Sequence, residues 1–250
     1  MNPAVADQLI TLNHQFYQDF GGSFASTRKR IQPGVKKILK TIISDGIWMD
    51  MGCGSGNFAA AWREQLFDGT YVGIDFSTEL LKEAVAAVAV DGALPENILF
   101  FQADLTKNEW MQAFRNQPFD GVVSFATLHH IPGEALQRQF LQQALTLLKP
   151  GKPFILSVWQ FQNSEKMLKR VIPWDQFGIN EADVDSGDVM LDWRADESGK
   201  TGRRGYRYVH LFNPERLRKL AEETGFTIVD EFTSDGASGD LALYLTMRKR

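Results

Sequence analysis

The stretch Asp50-Met51-Gly52-Cys53-Gly54-Ser55-Gly56-Asn57 follows a short apolar run, 47–51, and precedes a helical pattern, 58–66. Three glycines in five residues let a backbone turn sharply and come close to a ligand, and the free N–H groups of a helix start offer donors to a polar or anionic group. A glycine-rich turn alone is more often only a turn. Two later segments add to it. Tyr71-Val72-Gly73-Ile74-Asp75 is an apolar run ending in a carboxylate 19 residues after Gly56, a group able to accept two hydrogen bonds from a ribose diol. Phe101-Gln102-Ala103-Asp104-Leu105 ends a third run in another acid, suited to an adenine amino group. Open α/β sheets take ligands at the carboxyl ends of their strands.

Outward from this turn, residues 46 to about 160 alternate short apolar runs with helical patterns, the mark of βαβ units and a largely parallel sheet. The predicted strands are 47–51, 71–75, 98–102, 121–126 and 153–159; the helical segments are 58–66, 78–90, 109–115 and 134–148. In the last of these, Leu136, Phe140, Ala144, Leu147 and Leu148 form one apolar stripe, and Lys149-Pro150-Gly151 ends it. Ahead of the first strand, 4–20 and 33–43 read as helices separated by Gly21-Gly22-Ser23, an N-terminal helical cap (1–45) over the sheet edge or a ligand cleft. After the fifth strand, 161–212 is polar and irregular, too long for an ordinary loop, and is expected to be an insertion. A helix at 214–224, with Gly225 as its C-cap, and strands 227–232 and 241–247 as an antiparallel pair complete a seven-stranded α/β sheet with helices on both faces.

The composition agrees. The chain has 250 residues, 44% of them hydrophobic and 23% charged, enough for one large domain, 46–250, to bury a full core. The single cysteine, Cys53, excludes an intramolecular disulfide and any CxxC-type zinc or redox site. No metal site is expected. No 18-residue apolar run exists, and residues 1–20 lack the basic-then-apolar layout of a signal peptide, so a cytoplasmic protein without membrane partners is expected. A formal charge of −4 argues against a strongly basic nucleic-acid binder and leaves room only for a local basic face.

The ordered series D-x-G-C-G-x-G at 50–56, G-I-D at 73–75, A-D-L at 103–105, Ser124-Phe125-Ala126 and Leu148-Lys149-Pro150-Gly151 resembles the class I S-adenosylmethionine-dependent methyltransferases. A nicotinamide dehydrogenase fingerprint, G-x-G-x-x-G, fits worse: the third glycine comes one residue early and an acid precedes the turn. The resemblance implies a Rossmann-like sheet and S-adenosylmethionine as cofactor, with S-adenosylhomocysteine as product. It also implies a cofactor site of Asp50, Gly52, Gly54 and Gly56 at the methionine part, Asp75 at the ribose, and Phe76, Asp104, Leu105 and Ala126 around the adenosine.

Four further segments resemble the tRNA wobble-uridine methyltransferases that esterify 5-carboxymethyluridine: Phe24-Ala25-Ser26-Thr27-Arg28, Thr127-Leu128-His129-His130-Ile131, Asp188-Val189-Met190-Leu191-Asp192-Trp193 and Arg207-Tyr208-Val209-His210-Leu211-Phe212. Asp192 stands where that family has proline, Val209 where it has tyrosine, and Ser238-Gly239-Asp240 where it has an aromatic ending. A carboxylate acceptor is ionised at neutral pH and needs no base, only a cation to steer it; Arg28 and Arg207 are the candidates. An amine or hydroxyl acceptor would need a base, and His129 or His130 could serve, with His129 favoured for the cleft. Tyr208 and His210 share one face of an extended segment, so they either line the pocket or roof the sheet. Trp193 is a packing anchor or a base-stacking platform. Arg194, Lys200, Arg203, Arg204 and Arg207, interleaved with Trp193, Tyr206 and Tyr208, suit RNA, together with Arg28, Lys29 and Arg30; seven nearby acids dilute that charge. The acceptor is therefore tRNA or a small molecule, a noncatalytic cofactor-binding regulator is a third reading, and the need for an activating partner subunit stays open.

Overall fold

The structure, a computed structural model, describes residues 1–26, 30–194 and 204–250. In chain order the elements are α1 (Pro3–Ser26), α2 (Pro33–Thr41), β1 (Gly46–Met51), α3 (Asn57–Glu64), β2 (Gly69–Asp75), α4 (Thr78–Val88), β3 (Ile98–Gln102), β4 (Gly121–Phe125), α5 (Glu134–Leu147), β5 (Pro153–Trp159), α6 (Glu165–Leu168), β6 (Val171–Ile172), β7 (Asp188–Arg194), β8 (Arg204–His210), α7 (Pro214–Thr224), β9 (Phe226–Ser234) and β10 (Ala242–Lys249). Single 3₁₀ turns include Glu109–Phe114 and Leu128–His130. The tighter 3₁₀ form replaces the α-helical turn expected at 109–115.

The main sheet has seven strands in the order β3-β2-β1-β4-β5-β10-β9. The first five are parallel, and β10 runs antiparallel to both β5 and β9, pairing Leu243 with Val158 and Thr233. Alternation along the strands sorts side chains into two cores. Met49, Val122, Phe154, Leu156 and Leu245 pack with α5 and α7, while Trp48, Val123, Ile155 and Tyr244 pack with α2 and α3. Both faces of the parallel strands are thus covered, as such strands require.

Two expectations are corrected. Helix α1 does not stop at Gly21-Gly22-Ser23 but continues to Ser26. A helical glycine costs only ~1 kcal/mol relative to alanine, and Phe16, Tyr17 and Ala25 of this helix bury against Leu80 and Trp193. Gly21 faces α4, with a Cβ there 3.5 Å from Leu80 Cγ, an ordinary packing distance. The insertion 161–212, read as irregular, carries a three-stranded antiparallel sheet, β6-β7-β8. Its register from Asp188↔His210 to Arg194↔Arg204 turns Met190 and Tyr208 toward Leu9 of α1, and Leu191 and Val209 toward Phe161. The polar composition hid two strands, β7 and β8, that are buried on both faces. Among the described residues no helix is long and apolar enough to cross a membrane, and no cluster of His, Cys, Asp and Glu has the makings of a metal site.

Candidate active site

A cavity of about 390 Å³ opens at the carboxyl ends of β1, β2 and β4, and α1 forms part of its wall. Asp50, Gly52, Gly54, Asp75, Phe76, Asp104, Leu105 and Ala126 all line it. Gly56 does not. Its φ of +76° and its fit against α4, where a Cβ would lie 2.7 Å from Ala84 Cα, make it a packing glycine. The turn also differs from the expected donor nest. Gly52 and Cys53 N–H both donate to Ile74 O (2.8 and 2.9 Å), Gly56 N–H donates to Cys53 O (3.1 Å), and Gly54 N–H donates to Asp75 Oδ2 (2.9 Å). Three of those groups tie the turn to β2 and the fourth closes the turn on itself, so these four contribute shape and a held carboxylate rather than anion donors.

The carboxylates dominate this half of the cavity. Asp50 is buried, accepts Tyr71 O–H at 2.6 Å, and has its pKa pushed up to about 7, first by burial and also by Asp75, against the lowering effect of the Tyr71 bond. Among the described residues no lysine or arginine pairs with it. Asp75 is raised to about 6 by burial, opposed by backbone hydrogen bonds from Ser77, Gly54 and Phe76. Buried carboxylates without a counter-ion are costly, and a cationic ligand with hydrogen-bond donors relieves that cost. Asp104 Oδ1 accepts Thr106 N–H and O–H at 2.9 and 2.6 Å. Its Oδ2 lies 3.9 Å from His14 Nε2, and the His14 ring stacks on Phe76 at 4.2 Å. Burial pulls the His14 pKa down, more than Asp104 raises it. Ala126 holds a left-handed φ of +54°, fixed by its N–H to Ser157 Oγ at 3.1 Å. Cys53 sits where space is scarce: a Cβ on Gly73 would be 3.0 Å from its Sγ.

The acceptor candidates fall differently. Arg28 lies outside the described residues, as do Thr27, Lys29, Lys200 and Arg203. Of the histidine pair it is His130 that lines the cavity, correcting the preference for His129. His129 is fully buried, accepts Trp159 N–H on Nδ1 at 3.3 Å, and stacks on the Trp159 ring at 5.0 Å. Burial, then the charges of His130, Arg207 and His210, push its pKa well below the usual imidazole value. His210 is also buried off the cavity, with Nδ1 donating to Asp188 Oδ1 at 2.6 Å. Tyr208 O–H donates to the same oxygen at 2.7 Å, so the shared face of Tyr208 and His210 converges on Asp188 rather than on the cavity. Arg207 is 1% exposed and stands behind the wall, its guanidinium 5.1 Å from the Phe16 ring and 5.0 Å from the Trp159 ring. Trp193 packs on Phe16 and Phe20 at 5.7 and 5.2 Å, which makes it a packing anchor. Arg194 and Arg204 are exposed and Arg30 reaches the cavity.

Sequence reasoning missed the residues that α1 supplies. Ile10, Asn13, His14 and Tyr17 line the cavity from one helix face. Their signal was there: polar groups on Asn13, His14 and Tyr17, at i+3, i+4 and i+7 from Ile10, where a buried stripe should be apolar. Asn13 fixes the helix, donating from Nδ2 to His130 O (3.1 Å) and Tyr208 O (3.3 Å) and accepting Tyr208 N–H on Oδ1 (2.8 Å).

The sequence pattern of a family described as a methyltransferase domain matches residues 24–231. A tRNA (carboxymethyluridine(34)-5-O)-methyltransferase of Schizosaccharomyces pombe is 24% identical over 228 residues, which are 87% of this chain and 89% of that protein. A protein of the same description from Macaca fascicularis is 27% identical over 158 residues, covering 60% of this chain but only 20% of that protein's length. The crystal structure of a Methanosarcina mazei protein described as a SAM-dependent methyltransferase superposes with a TM-score of 0.62 at 20% identity, covering 88% of this chain and 98% of that one. At that identity it is the fold that is shared.

Proposed function

This chain belongs to the methyltransferase-domain family, and from that premise we propose that it methylates the carboxylate of a 5-carboxymethyl wobble uridine in tRNA, with S-adenosylmethionine as donor. When bound, S-adenosylmethionine supplies a methyl group on a sulfonium, which an acceptor oxygen takes by in-line displacement with the bond pair passing to sulfur. The observation that carries the donor reading is Asp50, a buried carboxylate on the cavity wall without a cationic partner among the described residues. It holds the amino group of the methionine part, Asp75 holds the ribose diol, and Asp104, Leu105 and Phe76 frame the adenine. The chain's own work is alignment and exclusion of water, for which the 1–45 cap and the 161–212 insertion serve as a lid.

For the acceptor, the support is the absence of any need for a base and the cationic Arg207 behind the wall, with Arg30 lining the cavity. His130 replaces His129 as the group able to take a proton should the acceptor carry one. The names of the Schizosaccharomyces pombe and Macaca fascicularis relatives point the same way. A second reading, methylation of a small carboxylate, draws on burial: Trp193, Arg207 and Tyr208 are 4%, 1% and 0% exposed and so are closed to a stacked base. Transfer of labelled methyl to total tRNA, against a small-metabolite pool, separates the two. Alkali-labile label in tRNA is the expected result; label in metabolites alone rejects the RNA acceptor.

A further inference from the structure

One part of the cavity wall is made by Tyr17 of α1, His130 and Trp159, with Arg207 behind them. Hydrogen-bond direction can be read off there. His130 Nδ1 lies 2.9 Å from the Tyr208 carbonyl oxygen, which can only accept, so Nδ1 carries the proton. In the neutral ring Nε2 is then a lone pair, and it takes the O–H of Tyr17 at 3.1 Å. The Arg207 guanidinium hydrogen-bonds the same phenol. The ring is held edge-on by Phe16 and Phe76, at 5.0 and 5.8 Å. Asn13 clamps the two backbone carbonyls on which this arrangement rests. The four carboxylates of the cavity belong elsewhere: Asp50 bonds Tyr71, Asp75 bonds the glycine turn, Asp104 bonds Thr106, and Asp235 accepts Tyr244 O–H and Gly34 N–H. What Tyr17 presents is therefore a donor backed by a cation on a wall free of acids among the described residues.

We propose that Tyr17 binds the methyl acceptor through its hydroxyl, seating a carboxylate of that acceptor in front of Arg207, and that His130 is the positioning residue that sets which way the hydroxyl points. This rests on the methyltransferase reading and deepens it. When the carboxylate enters, Tyr17 O–H turns from His130 Nε2 to the acceptor oxygen. Nε2 then takes one proton from solvent and donates it back to the phenol oxygen, so that neither group is left unpaired. Acceptor binding is thereby coupled to uptake of one proton. The charged and titratable groups that face His130 are Tyr17 from α1, His129 from its own turn and Arg207 from β8. Arg207, the cation among them, opposes that uptake until the carboxylate is present.

The test measures methyl transfer at saturating labelled donor, from pH 6 to 9, into both the tRNA and the small-metabolite pools, with S-adenosylhomocysteine binding measured by calorimetry for every variant. Tyr17→Phe is expected to raise the acceptor KM by about tenfold or more while S-adenosylhomocysteine binding stays within about threefold of wild type. In wild type the acceptor KM falls as pH is lowered; in His130→Gln that dependence disappears with S-adenosylhomocysteine binding retained. An unchanged KM in Tyr17→Phe, or a wild-type pH profile in His130→Gln, overturns the proposal, and the second variant decides if the first does not bind S-adenosylhomocysteine. Label confined to metabolites removes the tRNA acceptor and leaves the Tyr17 comparison to be made on those metabolites. Label in neither pool overturns this inference together with the reading beneath it.

Discussion

The two halves of the cavity are built in opposite ways. The half holding Asp50, Asp75 and Asp104 comes from strand ends within about fifty residues of chain, positioned by backbone hydrogen bonds of the sheet and its turn. The half holding Tyr17, His130 and Arg207 is assembled from three distant segments, joined by side-chain contacts at separations of 113 and 195 residues. The first half is anionic and suits a cation; the second sets the Tyr17 hydroxyl in front of the Arg207 cation. A backbone-built site tolerates little change in conformation and much in its neighbours, whereas a site assembled through side chains depends on each clamp. Substitutions can separate these two modes.

The largest effect is expected at Asp50. Asp50→Asn keeps the shape and the Tyr71 contact but removes the charge, so S-adenosylhomocysteine affinity should fall by about a hundredfold or more. The same change should stabilise the free protein. Burial raises the Asp50 pKa from the usual carboxylate value to about 7, so the folded form holds its proton more tightly than the unfolded chain. The stability that this adds is complete below about pH 4 and is lost as pH rises through about 7, leaving an ionised, destabilising carboxylate at neutral pH. A higher midpoint of thermal unfolding with weaker binding by calorimetry confirms this trade; lower values of both would mean that Asp50 is a structural acid.

Next in size is the clamp of the second half. Asn13→Ala strips three hydrogen bonds, two of them buried, and leaves the Tyr208 N–H unpaired, for a loss of about 1–3 kcal/mol in denaturant unfolding. Donor-side affinity should change less than turnover, because the clamp supports Tyr17 and His130 rather than the carboxylates. Equal losses in both would erase the distinction between the halves.

A smaller effect follows from pH alone. Since Asp50 must be ionised to hold a cation, S-adenosylhomocysteine binding to the wild type should weaken from pH 8 to pH 6, by up to about tenfold, with Asp75, raised to about 6, adding to the fall at the lower end. A flat profile would detach Asp50 from the ligand. The smallest effect is expected at His129. His129→Phe preserves the stack on Trp159, and turnover should remain within about threefold of wild type; a collapse of turnover with S-adenosylhomocysteine binding intact would return His129 to the chemistry.

The same contrast explains what could be read in advance. The strands, their parallel direction through β5 and the three acids were legible because each is a local pattern: an apolar run, a glycine turn, an acid at its end. The position of His129 against His130 was not, because a 3₁₀ turn at Leu128–His130 decides which ring faces inward, and two adjacent identical residues carry no periodicity. Nor was the length of α1, where Gly21 and Gly22, which read as a break, lie inside a helix held by the burial of Phe16, Tyr17 and Ala25. The order of the last two strands was equally hidden: an antiparallel pair can join a sheet by either member, and only packing against β5 makes β10 the inner one.

That inner placement sets a schedule for synthesis. Three of the four cavity carboxylates, Asp50, Asp75 and Asp104, precede residue 105, yet β5, whose side chains are almost wholly buried, keeps an open hydrogen-bonding edge until 242–249 has been made and has slipped in beside it. During translation the nascent chain thus carries an assembled ligand-facing half and an unpaired apolar edge side by side. An edge of that kind invites pairing with other chains, so the interval between making β5 and β10 is when a growing chain most needs protection.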